Sequence, residues 1–125
     1  MVFTRALSGD DARRGEPSLP DLLRRLFPQE SATPVHFRPR TYVFHQGTEV
    51  AAVCLTIHGS LVLERIDEDG RMAMFGMQKA GSLLAWQDLM DGRVHRNSCQ
   101  ALTACDLVVV PAGKFETALH ENEAL

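Results

Sequence analysis

The sequence lacks the features of a secreted, membrane-spanning or disulfide-stapled protein. Its 125 residues contain three Cys, an odd number without a Cys-x-x-Cys pair, which fits a reducing compartment better than a disulfide framework. Apolar runs stay well short of the roughly 18 residues of a membrane span, and the N-terminus has no apolar signal-peptide core. We therefore expect a cytoplasmic protein without a membrane partner.

Patterns of metal sites and catalysis are equally scarce. The five His are scattered, without the paired spacing that a cupin-like metal site would use. Three Cys are too few for a four-thiolate iron–sulfur cluster, and neither a Gly-rich phosphate loop nor a Ser-His-Asp arrangement is present. We expect no metal ligand and no catalytic residue. A cupin-like metal enzyme and haem ligation by Cys99 or His95 are the weakest alternatives.

Charge is unevenly distributed around a net value of −3. Residues 1–40 hold seven Arg and five acidic residues, whereas residues 41–125 hold six basic and eleven acidic residues. An acidic body argues against broad contact with nucleic-acid phosphates.

What the sequence does contain is a series of short strands punctuated by Gly47, Gly59 and Gly81, each placed where a strand pattern stops. Between the first two, an alternating run predicts a half-buried strand, in which Val53, Leu55 and Ile57 share the buried face. An Asp-Gly pair at residues 69–70, between two apolar runs, predicts a hairpin. We expect the three glycines at strand ends and these apolar side chains, with Leu63, inside the sheet structure.

Helical patterns flank the strands. Residues 1–17 are predicted to form a flexible leader, and residues 18–27 a helix that is capped by Ser18 or a neighbour and ended by Pro28. Further strands are predicted at 34–38, 41–44, 61–66, 71–77, 98–105 and 107–110, with a short helix at 82–91 and a C-terminal helix from Gly113. Met72, Met74 and Met77 are expected to pack in the core or at an edge, or to form an adaptable contact surface. The fold class is mainly β with flanking helices, a jelly roll over residues 18–125.

Several of these features together resemble a known family. The segment Val43-Phe-His-Gln-Gly47, the twelve-residue step to Gly59, the acidic hairpin and Gly81 before a short helix are similar to the cyclic-nucleotide-binding domain. The closest resemblance, over residues 34–121, is to the sensor domain of the Crp-Fnr superfamily of bacterial transcription regulators. It implies a double-stranded β-roll and a ligand-sensing regulatory role.

The resemblance also implies a ligand cassette. In cyclic-nucleotide binders, a Glu follows the matching glycine, a short helix presents backbone N–H groups, and an Arg pairs with the phosphate. Here Ser82 occupies the Glu position, and the Arg position aligns with His95 or Arg96, with Arg93 as a third candidate. The candidate ligand-binding residues are therefore Gly81, Ser82, Leu83, Leu84, Ala85, His95, Arg96 and Ser98.

The missing Glu predicts degenerate cyclic-nucleotide recognition, as in the Fnr-type branch. No cofactor is certain, and a cyclic nucleotide or another small anionic effector is the class implied. The alternative is a β-roll interaction or scaffold domain without a small-molecule ligand. Regulators of this kind continue into a dimer helix and a DNA-binding domain, so this chain is either a stand-alone sensor domain or the N-terminal portion of a longer regulator. We expect DNA contact only through a domain beyond Leu125, if one exists. We expect a homodimer if the C-terminal helix continues, with Phe115, Leu119 and Leu125 partly exposed in this chain.

Overall fold

Two four-stranded antiparallel sheets form the body of the protein in the computed structural model, which describes residues 18–123. The strands are β1 Val35–Phe37, β2 Tyr42–Phe44, β3 Ala52–His58, β4 Leu61–Ile66, β5 Met72–Gln78, β6 Leu83–Leu84, β7 Ser98–Ala101 and β8 Cys105–Pro111. One sheet has the order β1-β8-β3-β6 and the other the order β2-β7-β4-β5. The predicted double-stranded β-roll is confirmed.

Within the described residues, four helices accompany the sheets: α1 Leu19–Leu26, α2 Pro28–Ala32, α3 Trp86–Met90 and α4 Ala112–Glu123. Ser18 caps α1 as predicted, because its Oγ accepts a hydrogen bond from the N–H of Asp21 at 3.3 Å. Pro28 does not simply end this helix, since it begins α2, where a missing N–H costs nothing. No described helix is long and apolar enough to cross a membrane.

The glycines at strand ends have the backbone geometry that the sequence predicts. Gly47, Gly59 and Gly81 adopt φ values of +86°, +99° and +93°, a region that side chains with a Cβ rarely occupy. Gly47 follows β2, Gly59 joins β3 to β4, and Gly81 follows β5. The leader predicted at residues 1–17 lies outside the described residues.

Strand β3 is buried on both faces over most of its length. Val53 and Leu55 are buried as predicted, but they pack against the helices rather than between the sheets. Cys54 lies on the opposite face, in the interior of the roll, and Thr56 is also fully buried. The prediction of a half-buried strand from the alternating apolar pattern is wrong. Strand β3 lies between β8 and β6 in its sheet, and both of its faces are covered. Ile57 and Leu63 are only partly buried.

Several boundaries differ from the sequence prediction. Leu83 and Leu84 were expected in a helix, yet they form β6 and pair with Leu55 and Cys54 of β3. The strand predicted at 98–105 ends at Ala101, and β8 begins at Cys105. Pairing with a neighbouring strand, rather than local periodicity, sets these limits.

The C-terminal helix is docked on the roll. Phe115 of α4 is fully buried and stacks on Phe27, with 6.3 Å between the ring centroids. The expectation that Phe115 would be partly exposed is therefore wrong, because the aromatic ring fills the helix-side core shared with α1. Leu119 is partly buried, and Leu125 lies outside the described residues.

Strand β5 forms an edge of its sheet and exposes a row of methionines. Met72, Met74 and Met77 are between 57% and 60% exposed, so they do not belong to the core. Gly76, at φ +64°, is an extra residue in β5 where the register with β4 shifts between Val62 and Leu63.

Candidate functional site

The segment that follows β5 is joined to β3 by backbone hydrogen bonds. The N–H of Gly81 donates to the carbonyl of Thr56 at 2.7 Å, and the N–H of Thr56 donates to the carbonyl of Ser82 at 2.9 Å. Ala85 then adopts φ +74° and turns the chain into α3. These contacts fix the start of the predicted cassette against the roll.

A cavity of about 200 Å³ opens beside this segment. Three of the predicted site residues, Leu83, Leu84 and Ala85, lie in its wall. The remaining lining residues were not predicted and come from β2, β4, β5, α3 and the following loop: Phe44, Leu63, Gln78, Trp86, Gln87, Asp88 and Asn97. Aromatic faces, side-chain amides and one carboxylate therefore define the chemistry of this cavity.

Ser82 and Ser98 have structural contacts. The Oγ of Ser82 accepts from the N–H of Lys79 at 3.2 Å, and its own N–H donates to the Lys79 carbonyl at 3.0 Å. The Oγ of Ser98 accepts from the N–H of Gln46 at 2.8 Å. Gly81, Ser82 and Ser98 are not among the residues that line the cavity, so both hydroxyls serve to close turns beside it.

Arg96, the principal cationic candidate, is held by acidic side chains of α3 and its end. Its Nε lies 3.4 Å from a carboxylate oxygen of Asp88, and its guanidinium also contacts the carboxylate of Asp91. The backbone N–H of Arg96 donates to the second Asp88 oxygen at 3.1 Å. Two carboxylates thus offset the charge of Arg96, and Asp88 is the one that lines the cavity. Arg93 is similarly paired with Glu116, which lowers the pKa of that carboxyl.

His95 is buried away from that cavity, with 4% of its surface exposed. Its ring stacks on Phe44, with centroids 3.9 Å apart and planes inclined by 9°. Burial lowers the pKa of His95, and the nearby Asp88 carboxylate opposes this shift only in part. A histidine that is neutral at pH 7 cannot replace the phosphate-binding arginine of the resembling family.

The three cysteines lie in the interior of the roll. Burial raises the pKa of Cys54 and of Cys99 to about 12, so both are thiols at neutral pH. Within residues 18–123, the side chains of His, Cys, Asp and Glu form no group of three or more that could hold a metal ion.

The acidic pair formed by Asp88 on α3 and Asp91 directly after it was the main residue set missed from the sequence. Asp88 and Asp91 are three residues apart, a spacing that places side chains on one face of a helix. That spacing could have indicated a carboxylate pair beside Arg96. Phe44 was also missed. Nothing in the sequence indicates its contact with His95, because only the fold brings β2 next to the loop that holds His95.

Comparison with known proteins was made on sequence and on structure. Residues 34–122 match the family model described as the cyclic nucleotide-binding domain. No curated protein matches the sequence. Structural neighbours include regulators of the Crp-Fnr family.

Three solved structures illustrate the likeness. The N-terminal domain of a transcriptional regulator from Streptomyces coelicolor A3(2) is 22% identical, with a TM-score of 0.64 over 84% of this chain and 76% of that one. The c-di-GMP-responsive global regulator CLP of Xanthomonas campestris is 17% identical, with a TM-score of 0.65 over 74% of this chain and 45% of that one. The EAL enzyme Bd1971, in its cAMP-bound form, is 15% identical, with a TM-score of 0.60 over 66% of this chain. The chain spans only 22% of Bd1971.

These identities show a shared fold, while the family match covers most of the chain. Both agree with the roll, the glycine turns and the short helix after Gly81 that the structure displays. The chain belongs to the cyclic nucleotide-binding domain family.

Proposed function

We propose that this domain is a non-catalytic, ligand-sensing regulatory module, similar to the effector domain of Crp-Fnr regulators, in which cyclic-nucleotide recognition is degenerate. The observation that carries the proposal is the pairing of Arg96 with Asp88 and Asp91. A cation already held by two carboxylates cannot pair with a cyclic phosphate unless those contacts break.

The electrostatics of the 200 Å³ cavity also oppose an anion. Among the residues that the structure describes, its lining includes Asp88, whose side chain is 14% exposed, and no Lys, Arg or His. Asp88 and Asp91 share the single guanidinium of Arg96, so the group keeps a net negative charge, and a phosphodiester placed beside Asp88 in this partly desolvated site would be repelled. Ser82 further weakens the binding of a cyclic nucleotide, because it replaces the Glu of the resembling family. Losing one charged hydrogen-bond partner costs about 1.5–3 kcal/mol, roughly ten- to a hundredfold in affinity. The amides of Gln78, Gln87 and Asn97 favour a neutral polar effector over cyclic AMP or another small anion.

Output would pass through α4, which begins directly after β8. Phe115 anchors this helix in the helix-side core, so packed side chains would transmit a conformational change of the roll to the helix. We propose that the module acts in the cytoplasm, that it forms a homodimer if α4 continues, and that this chain does not bind DNA specifically by itself. A gel shift at physiological salt tests this; a sequence-dependent complex with this chain alone would contradict it.

A second candidate function is an interaction domain without a small-molecule ligand. It is favoured by the exposed row of Met72, Met74 and Met77 on β5, beside Ile66, which is 50% exposed. Flexible methionine surfaces are well suited to protein contacts. Under this candidate, the 200 Å³ cavity would bind neither nucleotides nor neutral metabolites.

Isothermal titration with cyclic AMP and cyclic GMP tests degenerate recognition. We expect no measurable binding at micromolar concentrations by the wild-type chain. The double variant Ser82→Glu, Asp88→Asn restores the carboxylate and loosens the hold on Arg96, so it should bind cyclic AMP measurably under conditions in which the wild-type chain does not. Asp21→Asn, which removes an exposed carboxylate from the Arg24 pair on α1, is the matched control and should change nothing. Low-micromolar wild-type binding that disappears in Arg96→Ala would refute degenerate recognition.

A further inference from the structure

The 200 Å³ cavity combines an apolar wall with a small set of polar side chains. The apolar wall comes from β2, β4, β6 and the entry to α3: Phe44, Leu63, Leu83, Leu84, Ala85 and Trp86. The polar side chains are those of Gln78, Gln87, Asp88 and Asn97. A largely apolar cavity with a few polar groups is the usual form of a small-molecule site. A molecule that fits it needs an apolar body and one polar end.

Asp88 gives the polar part of this cavity its charge. Its side chain is only 14% exposed, so solvent screens the carboxylate weakly. One carboxylate oxygen lies 3.4 Å from Nε of Arg96, and the other accepts from the Arg96 backbone N–H at 3.1 Å. An ionised carboxylate has about four lone-pair sites, so these two contacts leave capacity for a further donor.

The cations around Asp88 do not neutralise it. The guanidinium of Arg96 also contacts Asp91, so two carboxylates share one positive charge and a net negative charge remains. The ring of His95 is close enough for the Asp88 carboxylate to influence it, but burial lowers the pKa of His95, which is therefore neutral at pH 7. A cation in the cavity is thus attracted to Asp88.

The side-chain amides add acceptors to this carboxylate. Nε2 of Gln78 donates to the Gly76 carbonyl at 2.9 Å, which leaves the oxygen of the same amide as an acceptor. The oxygen of Asn97 already accepts from Nε of Arg65 at 2.9 Å, and Arg65 is exposed, so solvent screens its charge. An ammonium group has three donors and no acceptor, so it matches a set of carboxylate and amide oxygens.

The volume limits the apolar body of the ligand to about one ring. An apolar cavity of roughly 150 Å³ accommodates benzene, so 200 Å³ suffices for one ring with a short substituent. Phe44 and Trp86 both lie in the wall, and aromatic faces attract other rings and also cations.

We propose that the 200 Å³ cavity binds a small protonated amine of the arylalkylamine class, with its ring against the apolar wall and its ammonium group hydrogen-bonded to the carboxylate of Asp88. This inference rests on the proposed ligand-sensing function and names the ligand class of that cavity. The proposed function places neutral ligands above anions, and the charge of Asp88 places cations above both.

Titrations with benzylamine, benzyl alcohol and benzoate test the proposal, because these probes share one ring and differ in charge. The fluorescence of Trp86, which lies in the wall, reports binding. In wild type, benzylamine should bind at least about tenfold more tightly than benzyl alcohol, since only the amine makes a charged hydrogen bond, and benzoate should bind least.

Two variants separate the carboxylate of the wall from other acidic groups. Asp88→Asn keeps the shape of the side chain and removes its charge, so benzylamine affinity should fall about tenfold or more while benzyl alcohol affinity is retained. Asp21→Asn removes an exposed carboxylate on α1, away from the cavity, and should change neither affinity.

Several results would overturn the proposal. Equal affinity of the wild type for benzylamine and benzyl alcohol, or equal benzylamine affinity in wild type and Asp88→Asn, would show that the carboxylate takes no part. NMR shifts on benzylamine addition that leave the side-chain amides of Gln78 and Gln87 unchanged would place the amine elsewhere. If Asp88→Asn does not fold, the order of the three probes on the wild type decides.

The same titrations distinguish failure of this inference from failure of the proposed function. Tighter binding of benzyl alcohol than of benzylamine would refute the amine and leave a cavity for neutral effectors. Tightest binding of benzoate would refute both, because the cavity would then favour anions. Binding of none of the three probes would refute the amine alone, since the nucleotide titrations test degenerate recognition independently.

Discussion

Replacing Gly59 with Ala should destabilise the protein far more than the same change at Gly81. Both glycines have positive φ, +99° and +93°, so a Cβ at either costs about 1–2 kcal/mol in backbone strain. At Gly59 the new Cβ would also lie 2.4 Å from the Ala104 carbonyl oxygen and 2.9 Å from the Cα of Cys105. These are backbone atoms that cannot turn aside, so the β3–β4 connection must move away from the start of β8.

Overpacking of this kind adds about 1–3 kcal/mol, which brings the cost of Gly59→Ala to about 2–5 kcal/mol. At Gly81 no atom of residues 18–123 lies within 4 Å of the added Cβ, so only the strain remains. Urea unfolding followed by the fluorescence of the single Trp86 measures both free energies. Each kcal/mol should lower Tm by roughly 4 °C in a domain of this size. Equal destabilisation by the two substitutions would refute the argument, because it would mean that the close contact at Gly59 relaxes without cost.

Three further predictions follow from burial. Burial lowers the pKa of His95 below 6.5, so on acidification the imidazole is protonated in the unfolded chain before it is protonated in the folded protein. The free energy of unfolding should therefore fall as the pH drops below about 6.5. In urea titrations, His95→Phe should remove that part of the pH dependence. Phe115→Ala should lower the free energy of unfolding by about 3–5 kcal/mol, measured by thermal or urea unfolding. Thr117→Ala, on the exposed side of α4, is the control and should lower it by under about 1 kcal/mol. Similar values for the two variants would contradict the docking of α4. Cys54 and Cys99 should resist iodoacetamide at pH 8 and react only in urea, since burial holds their pKa at about 12; rapid native labelling would show that the roll opens.

Local chemistry in the sequence was enough to locate turns, caps and strands. Glycines at strand ends and the capping of α1 by Ser18 are set by neighbouring residues, so they could be predicted. The burial of β3 on both faces could not, because it depends on which strands and helices come to lie beside it. Leu83 and Leu84 have helical periodicity but pair with β3, a case of tertiary contacts overriding local preference.

The candidate site was predicted less completely than the fold. Family resemblance located residues 81–85 beside a cavity, and Leu83, Leu84 and Ala85 do line one. The state of Arg96 depends on Asp88 of α3 and on Asp91 directly after it, and the burial of His95 depends on Phe44 from a distant strand. The spacing of the two Asp residues could indicate a carboxylate pair, but it does not show that both hold Arg96, and no spacing indicates the burial of His95. Side-chain contacts of this kind are decided only when the chain has folded.

The extra residue at Gly76 has a consequence for how copies of the chain behave at high concentration. An exposed, methionine-rich edge strand is a template on which another molecule could add a strand and begin a fibril. Assembly of this kind needs a straight stretch of roughly six residues. The bulge divides β5 into residues 72–75 and 77–78, both shorter than that. A single glycine thus lets the sheet keep an apolar border without that border becoming a seed for aggregation.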